Sequence, residues 1–317
     1  PKIEDFLSGS SDSPREYRLR DVVHAIDASA ADDRVKAIVL DLGRFAGGGP
    51  TSLTDVGAAL DRAKKAGKPV YAFASFYSDD SYQLAAHATQ IWLDPMGGII
   101  FAGPGGNRLY YKGLMDQLGV TANIYRVGTY KSAVEPYMRS DQSPAAREAS
   151  QALYGVLWDS WLGEVTKARP QAVIRPFADD PATFARTAGG DLAKVAMQQK
   201  LVDKLGDKTA FDRFVAEQVG TDETPSPDSF KSIDYDDFVA AHPRDTDGSP
   251  IGVITVAGEI VGGDTGPGMA ASGRIAELIY KALDEDQIKA LVVRVDSPGG
   301  SAFASEEIRL ALLEARK

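Results

Sequence analysis

The strongest constraint on this chain is that it repeats itself. Val35-Lys36-Ala37-Ile38-Val39-Leu40-Asp41-Leu42 reads like Ile288-Lys289-Ala290-Leu291-Val292-Val293-Arg294-Val295, with Lys36 answering to Lys289. An amphipathic helix precedes each run at the same offset, through Val22 and Ile26 in one copy and Ile275 and Ile279 in the other. A Gly-Gly loop follows each, Gly47-Gly48 and Gly299-Gly300 after a one-residue slip. Each loop feeds a helix, Ser52 to Ala63 and Ser305 to Ala315. The apolar runs are short, β-branched and bounded by charge and glycine, so they read as strands buried on both faces of a parallel sheet. Helix, strand, Gly-rich turn, helix is the grammar of a layered α/β domain. The matched order of all three parts predicts a tandem duplication.

The copies expose each other's missing parts. After its helix the first continues with Gly67-Lys68-Pro69 and a strand, Val70 to Ala74, whereas the second stops at Lys317. The second opens with a strand, Ile251 to Val256, and glycines at 258, 262 and 263, whose counterpart in the first would precede Pro1. Both ends are expected to be cut from a longer chain. Between the copies, Ser143 as a cap and Pro144 at the first helical position predict a helix to Ala168. Further helices are expected at Asp191–Lys200 and Lys208–Gln218, and a strand at Ala122–Val127. Asp222 to Asp228, with two prolines, reads as a linker, and Asp234 to Asp247 as an acidic stretch ending in turn signals. The boundary belongs there. Residues 1–240 form the first repeat with a helical extension, and 241–317 begin a truncated second one.

Composition removes whole classes of function. The net charge is −10 with no basic stripe, which argues against a nucleic-acid partner, since phosphate binding needs clustered Lys and Arg. With no cysteine there are no disulfides, no thiolate catalysis and few routes to structural zinc. No run approaches the roughly 18 apolar residues of a membrane span. Gly103-Pro104-Gly105-Gly106 fails the dinucleotide spacing, and Asp234, Asp236 and Asp237 lack an EF-hand frame. No cofactor and no metal are expected.

Two segments carry candidate chemistry. Asp296-Ser297-Pro298-Gly299-Gly300-Ser301 follows a strand, and its glycines leave N–H groups able to hold an oxyanion; a plain strand-to-helix turn is the alternative. Ser301 could be a nucleophile or the cap of the next helix, with Ser305 an equal capping candidate. His24, His87 and His242 are poorly placed as its base, and no Ser-His-Asp pattern emerges. The second segment is Tyr130-Lys131-Ser132-Ala133-Val134-Glu135-Pro136. Lys131 can serve as a general base if burial lowers its pKa, with Tyr130 and Tyr137 supplying the desolvation; a solvated lysine is the alternative.

The heptad Tyr130–Pro136 resembles the lysine motif of the long, two-repeat signal peptide peptidase A family. So do Phe45-Ala46-Gly47-Gly48, Ile91-Trp92-Leu93-Asp94-Pro95, Ser143-Pro144-Ala145-Ala146-Arg147-Glu148, and Ser297-Pro298-Gly299-Gly300-Ser301 with Ala304-Ser305-Glu306. The resemblance runs from about Leu19 to the end of the chain. It implies a ClpP/crotonase-like α/β fold, in a peptidase anchored in the bacterial inner membrane, facing the periplasm and assembled as a homotetramer. It implies degradation of released signal peptides by a Ser/Lys dyad through an acyl-enzyme. The base falls on Lys131 and the oxyanion donors on Gly299 and Gly300.

In that family the nucleophile sits in a later Met-Ala-Ala-Ser-Gly-Gly stretch, so it is expected within about 40 residues after Lys317, allowing for one more buried strand. The resemblance leaves Ser301 as a loop or cap residue. Met269-Ala270-Ala271-Ser272-Gly273 precedes the helix and strand it should follow, so Ser272 is expected to cap a helix near Arg274. In the first copy the nucleophile's counterpart falls near Asp79, which implies a repeat that lost its serine and kept its lysine. Two rival readings remain at this level: a crotonase-like acyl-CoA hydratase or isomerase, and a non-catalytic scaffold.

Overall fold

The computed structural model describes residues 15–222, 229–245, 248, 250–266 and 268–317. The chain divides into two compact units between Pro243 and Arg244. The first runs α1 (Leu19–Ala31), β1 (Ile38–Asp41), α2 (Pro50–Lys65), β2 (Val70–Tyr77), α3 (Asp79–Ala86) and β3 (Gln90–Ile99). It continues with α4 (Lys112–Gln117), a 3-10 turn (Glu135–Tyr137), α5 (Pro144–Ala168), α6 (Ile174–Asp179), α7 (Pro181–Thr187) and α8 (Leu192–Gln198). β4 (Lys204–Leu205), α9 (Lys208–Val219) and α10 (Tyr235–Ala241) complete it.

The four strands of the first unit pair in sequence order, all parallel. Parallel neighbours need crossovers, and α2 and α3 provide them. The two-residue period of a strand then sorts side chains onto two faces. Val70, Ala72, Ala74, Ile91 and Leu93 join one core with Ile26 of α1, Leu60 of α2 and Leu162 of α5. Tyr71, Phe73 and Trp92 form the other with Phe211 and Val215 of α9. Phe73 stacks on Phe211 at 5.2 Å between ring centres. At the end of α2, Gly67 takes φ +86°, its amide returning to Lys64 and that of Lys68 to Ala63. This pairing stops the helix and turns the chain into β2.

The second unit runs β5 (Ile251–Ala257), β6 (Glu259–Val261), β7 (Met269–Ala271), α11 (Ser272–Asp284), β8 (Ala290–Asp296) and α12 (Ala302–Ala315). β5 pairs with β8 and β6 with β7, both in parallel. Ile254 and Val256 pack with Ile275 and Ile279 of α11 and Ile308 of α12. Helix, strand, Gly-Gly loop and helix thus stand in the predicted order in both units, and the α/β class with parallel strands is as expected.

Several local expectations change. Burial on both faces was expected of the repeated runs and holds for neither: β1 is an edge strand and only partly buried, and β8 alternates between exposed and half-buried positions. Within the β5–β8 pair, helices cover one face, leaving Val253 and Val292 at 64% and 50% exposure. Residues 122–127 form no strand: they pair with no neighbour, and Tyr125 and Val127 are 95% and 92% exposed. The acidic stretch after Asp234 contains α10, because Phe238 is buried and its ring stacks on His242. Most of the expected linker, residues 223–228, and Asp247 lie outside the described residues. Among the described residues no helix is long and apolar enough to cross a membrane.

Phe211 is fully buried between α9 and the sheet. Phe211→Ala should cost about 3–5 kcal/mol, through lost transfer energy and the cavity left behind. Urea unfolding reads this as a lower midpoint at unchanged slope. A loss under about 1 kcal/mol would mean that α9 does not close this face of the sheet.

Candidate active site

Lys131 sits on a loop held almost entirely through its backbone. The Lys131 amide returns to Gly128 O at 3.4 Å, and Arg126 Nη1 donates to Lys131 O at 3.0 Å. Glu135 N–H closes the turn on Ser132 O at 3.0 Å. Arg108 donates to Ala133 O, and the Tyr111 amide to Pro136 O at 2.7 Å. The heptad is therefore tied to the segment that precedes it.

The centre of this arrangement is the carboxylate of Glu135, 1% exposed. Its Oε2 accepts the Ser143 amide at 3.1 Å, one residue before α5. Its Oε1 accepts no hydrogen bond and lies 3.7 Å from Arg126 Nη1. Burial presses its pKa upward, but the Ser143 hydrogen bond and the charges of Arg139 and Arg126 outweigh it, and the net direction is downward. Ser143 caps α5 as expected, its Oγ accepting the Ala146 amide at 3.1 Å. One buried anion thus joins the lysine loop to the start of the longest helix. Glu135 stood inside the heptad, but nothing in the sequence distinguishes it from a solvated glutamate.

The expected desolvation of Lys131 is not supplied by its tyrosines. Lys131 is exposed, and its amine meets no partner among the described residues. Tyr130 is 57% exposed and donates its hydroxyl to Glu148, while Tyr137 stacks on Tyr111 at 5.7 Å. Both rings are thus committed to other partners, Tyr130 to Glu148 and Tyr137 to Tyr111.

In the second unit, the loop after β8 is shaped by its glycines. Gly299, at φ +104°, donates its N–H to Ser297 Oγ at 3.1 Å. Gly300 is pressed against β6, so that a Cβ there would lie 2.0 Å from Ile260 O. Ile260 N–H meets Gly299 O and Ser301 N–H meets Ile260 O, each at 2.9 Å. Gly300 is exposed and its N–H has no partner among the described residues. The loop offers one open amide, that of Gly300, while the Gly299 amide is engaged internally.

The serines nearby are occupied. Ser301 caps α12, its Oγ accepting the Ala304 amide at 3.4 Å, and Ser305 donates to Ser301 O at 2.9 Å. Ser272 differs from expectation. It is not a cap but the first residue of α11, fully buried, and its hydroxyl donates to Glu307 Oε2 at 2.5 Å. The contact of α11 with α12 turns that hydroxyl inward. Asp79, near the expected place of a lost nucleophile, accepts the amides of Ala102 and Gly103 at 3.0 and 3.2 Å. A cavity of about 600 Å³ contains none of the expected site residues; Asp61, Lys64, Lys65, His87 and Lys167 are among its walls. His87 is buried there, its Nδ1 3.0 Å from Asp61 Oδ2.

Residues 62–221 match peptidase family S49. Protease 4 of Salmonella typhi is 41% identical over 98% of this chain and 50% of its own length. Protease 4 of Haemophilus influenzae is 35% identical over 93% and 49%. The chloroplastic serine protease SPPA of Arabidopsis thaliana is 23% identical over 77% and 36%. The chain therefore spans about half the length of the two bacterial proteins. Among solved structures, an enoyl-CoA hydratase/isomerase family protein from Silicibacter pomeroyi is 17% identical. It covers 54% of this chain and 86% of its own at a TM-score of 0.20, a likeness too loose to bear on the fold.

Glu135→Gln should destabilise the chain by about 1–3 kcal/mol at neutral pH, since it removes a buried charged acceptor from the Ser143 amide and Arg126. Because the folded pKa of Glu135 is depressed, its contribution is complete above the ordinary glutamate pKa and is lost as pH falls through the folded value. Urea melts at neutral and acid pH should therefore show a smaller acid loss in E135Q than in the unmodified chain. Equal acid losses would remove Glu135 from this role.

Proposed function

Because the chain belongs to peptidase family S49, we propose that it is the lysine-bearing part of a serine endopeptidase, with Lys131 as its general base. The observation that carries this reading is the Lys131 loop, whose backbone is pinned at Lys131 O, Ala133 O and Pro136 O around the buried Glu135. A general base must be held within hydrogen-bond reach of the proton it removes, so a fixed backbone under a free amine suits the task.

The chemistry assigned to each group follows. Lys131, once neutral, takes the proton of a serine hydroxyl as the oxygen attacks a peptide carbonyl. The oxygen of that carbonyl gains charge, and the Gly299–Gly300 loop meets it, with the open Gly300 amide as its principal donor. The leaving amine takes back from Lys131 the proton drawn from serine, and water then releases the acyl group from serine. Ser272 and Ser301 are engaged by Glu307 and the α12 amide, which favours a nucleophile in the part of the protein that this chain does not span.

A lysine serves as a general base where burial favours its neutral form, so activity requires Lys131, exposed here, to be covered in the full-length protein, by further chain, a second copy or the bound peptide. The substrates are extended apolar peptides such as released signal peptides, in keeping with the name of the Enterococcus faecium relative, putative signal peptide peptidase SppA. A periplasmic site at the bacterial inner membrane, an anchor outside this chain, a duplicated domain divided near residue 240 and a homotetramer belong to the same proposal.

In the full-length protein, Lys131→Ala should lower peptidase kcat at least about 100-fold, the lower end of what a general base contributes. The thermal melt should stay unchanged, because the amine meets no partner here. Near-normal turnover by K131A would end the base assignment. Acyl-CoA hydration by the same protein would favour the crotonase-like alternative.

A further inference from the structure

Each unit carries a Gly-Gly turn after a parallel strand, and the two turns differ in what their amides meet. In the second unit the Gly300 N–H is open. In the first, Gly48 is the counterpart of Gly300 in the slipped repeat, and its N–H donates to Oδ2 of Asp80 at 2.9 Å. Asp80 lies in the first turn of α3. Gly47, at φ +117°, is so close that a Cβ there would lie 2.5 Å from the same Oδ2. The carboxylate oxygen fills the hollow that a side chain at Gly47 would otherwise occupy.

We propose that Gly47-Gly48 is a carboxylate-binding cradle and that Asp80 is its built-in occupant. A carboxylate oxygen presents to an amide what an acyl oxyanion would present, a negative oxygen with lone pairs, and it does so permanently. Being tethered, it loses no further translational freedom on docking, so a free anion competes poorly with it. The cradle lies at the carboxyl end of β1, where open α/β sheets bind their ligands. Asp79 closes the neighbouring loop after β3 in the same manner. The first unit's turn is thereby shut to any outside oxyanion, whereas the Gly300 amide of the second stays available.

The cavity of about 170 Å³ beside Asp80, lined in part by Trp158, Trp161 and Glu164, gives a small anion a way to the turn once Asp80 is removed. Asp79 and Glu164 border it with their charges already hydrogen bonded. The ligand class is a small carboxylate, and formate is its minimal probe. The inference goes beyond the peptidase reading, because binding alone tests it.

In ¹⁵N-labelled D80A, formate should shift the Gly48 amide saturably, against chloride at equal ionic strength. The unmodified chain and D80N, which keeps an acceptor in place, should not respond. A Gly48 amide that ignores formate in folded D80A, or that moves equally in the unmodified chain, would overturn the cradle. Should D80A not fold, D80S takes its place with Tm as the readout. A Tm higher in formate than in chloride supports the proposal, and an equal Tm rejects it.

Discussion

A parallel sheet must be covered on both faces, and the first unit is organised around that requirement. β2 and β3 alternate up to the register shift after Ala74: Val70, Ala72 and Ala74 turn one way with Ile91 and Leu93, and Tyr71 and Phe73 the other way with Trp92. Small residues dominate one side and rings the other. The alanines let α1, α2 and α5 approach closely, while the rings reach α9, which comes more than a hundred residues later in the chain. With both faces taken by helices, the strand ends are the places left for loops that can do chemistry. The Gly-Gly turns follow β1 and β8, and the loop of Ala102 and Gly103 follows β3.

In the first unit such loops are set by carboxylates that accept backbone amides. Glu135 takes the amide of Ser143, Asp80 that of Gly48, and Asp79 those of Ala102 and Gly103. An ionised acceptor makes a stronger bond than a neutral one, so a single side chain can fix a loop that has few apolar contacts. Around Lys131 this leaves the lysine side chain unencumbered while its backbone is fastened. Beside Gly48 the same device has the opposite effect, because the acceptor occupies the donor that a ligand would need. The difference between an open and a closed turn is thus one carboxylate, placed by the first turn of a helix.

Much of this was legible in the sequence. The repeated runs marked β1 and β8, Gly67-Lys68-Pro69 marked the end of α2, and Ser143-Pro144 marked the start of α5, because local signals of these kinds act within a few residues. The supposed strand at Ala122–Val127 failed for a reason no window reveals: it has strand composition and no strand beside it. Phe238 likewise made a helix of an acidic stretch by finding a buried position. At the candidate site, Lys131 and the Gly-Gly loop could be singled out by residue type and order. Glu135, Arg126 and Asp80 could not, since each acts on a group brought near it only by folding.

What the sequence determined by itself was periodicity and punctuation: where most of the strands and helices run and stop, and which loops carry glycine, lysine or serine. These depend on dihedral preferences and on the spacing of apolar side chains, which are local properties. Tertiary structure alone decided who meets whom. It turned the Ser272 hydroxyl onto Glu307, left Lys131 uncovered, gave the Gly299 amide to Ser297 and seated Asp80 on Gly48. Whether a donor is open or spent depends on the atom opposite it, and the atom opposite is set by the packing of distant segments.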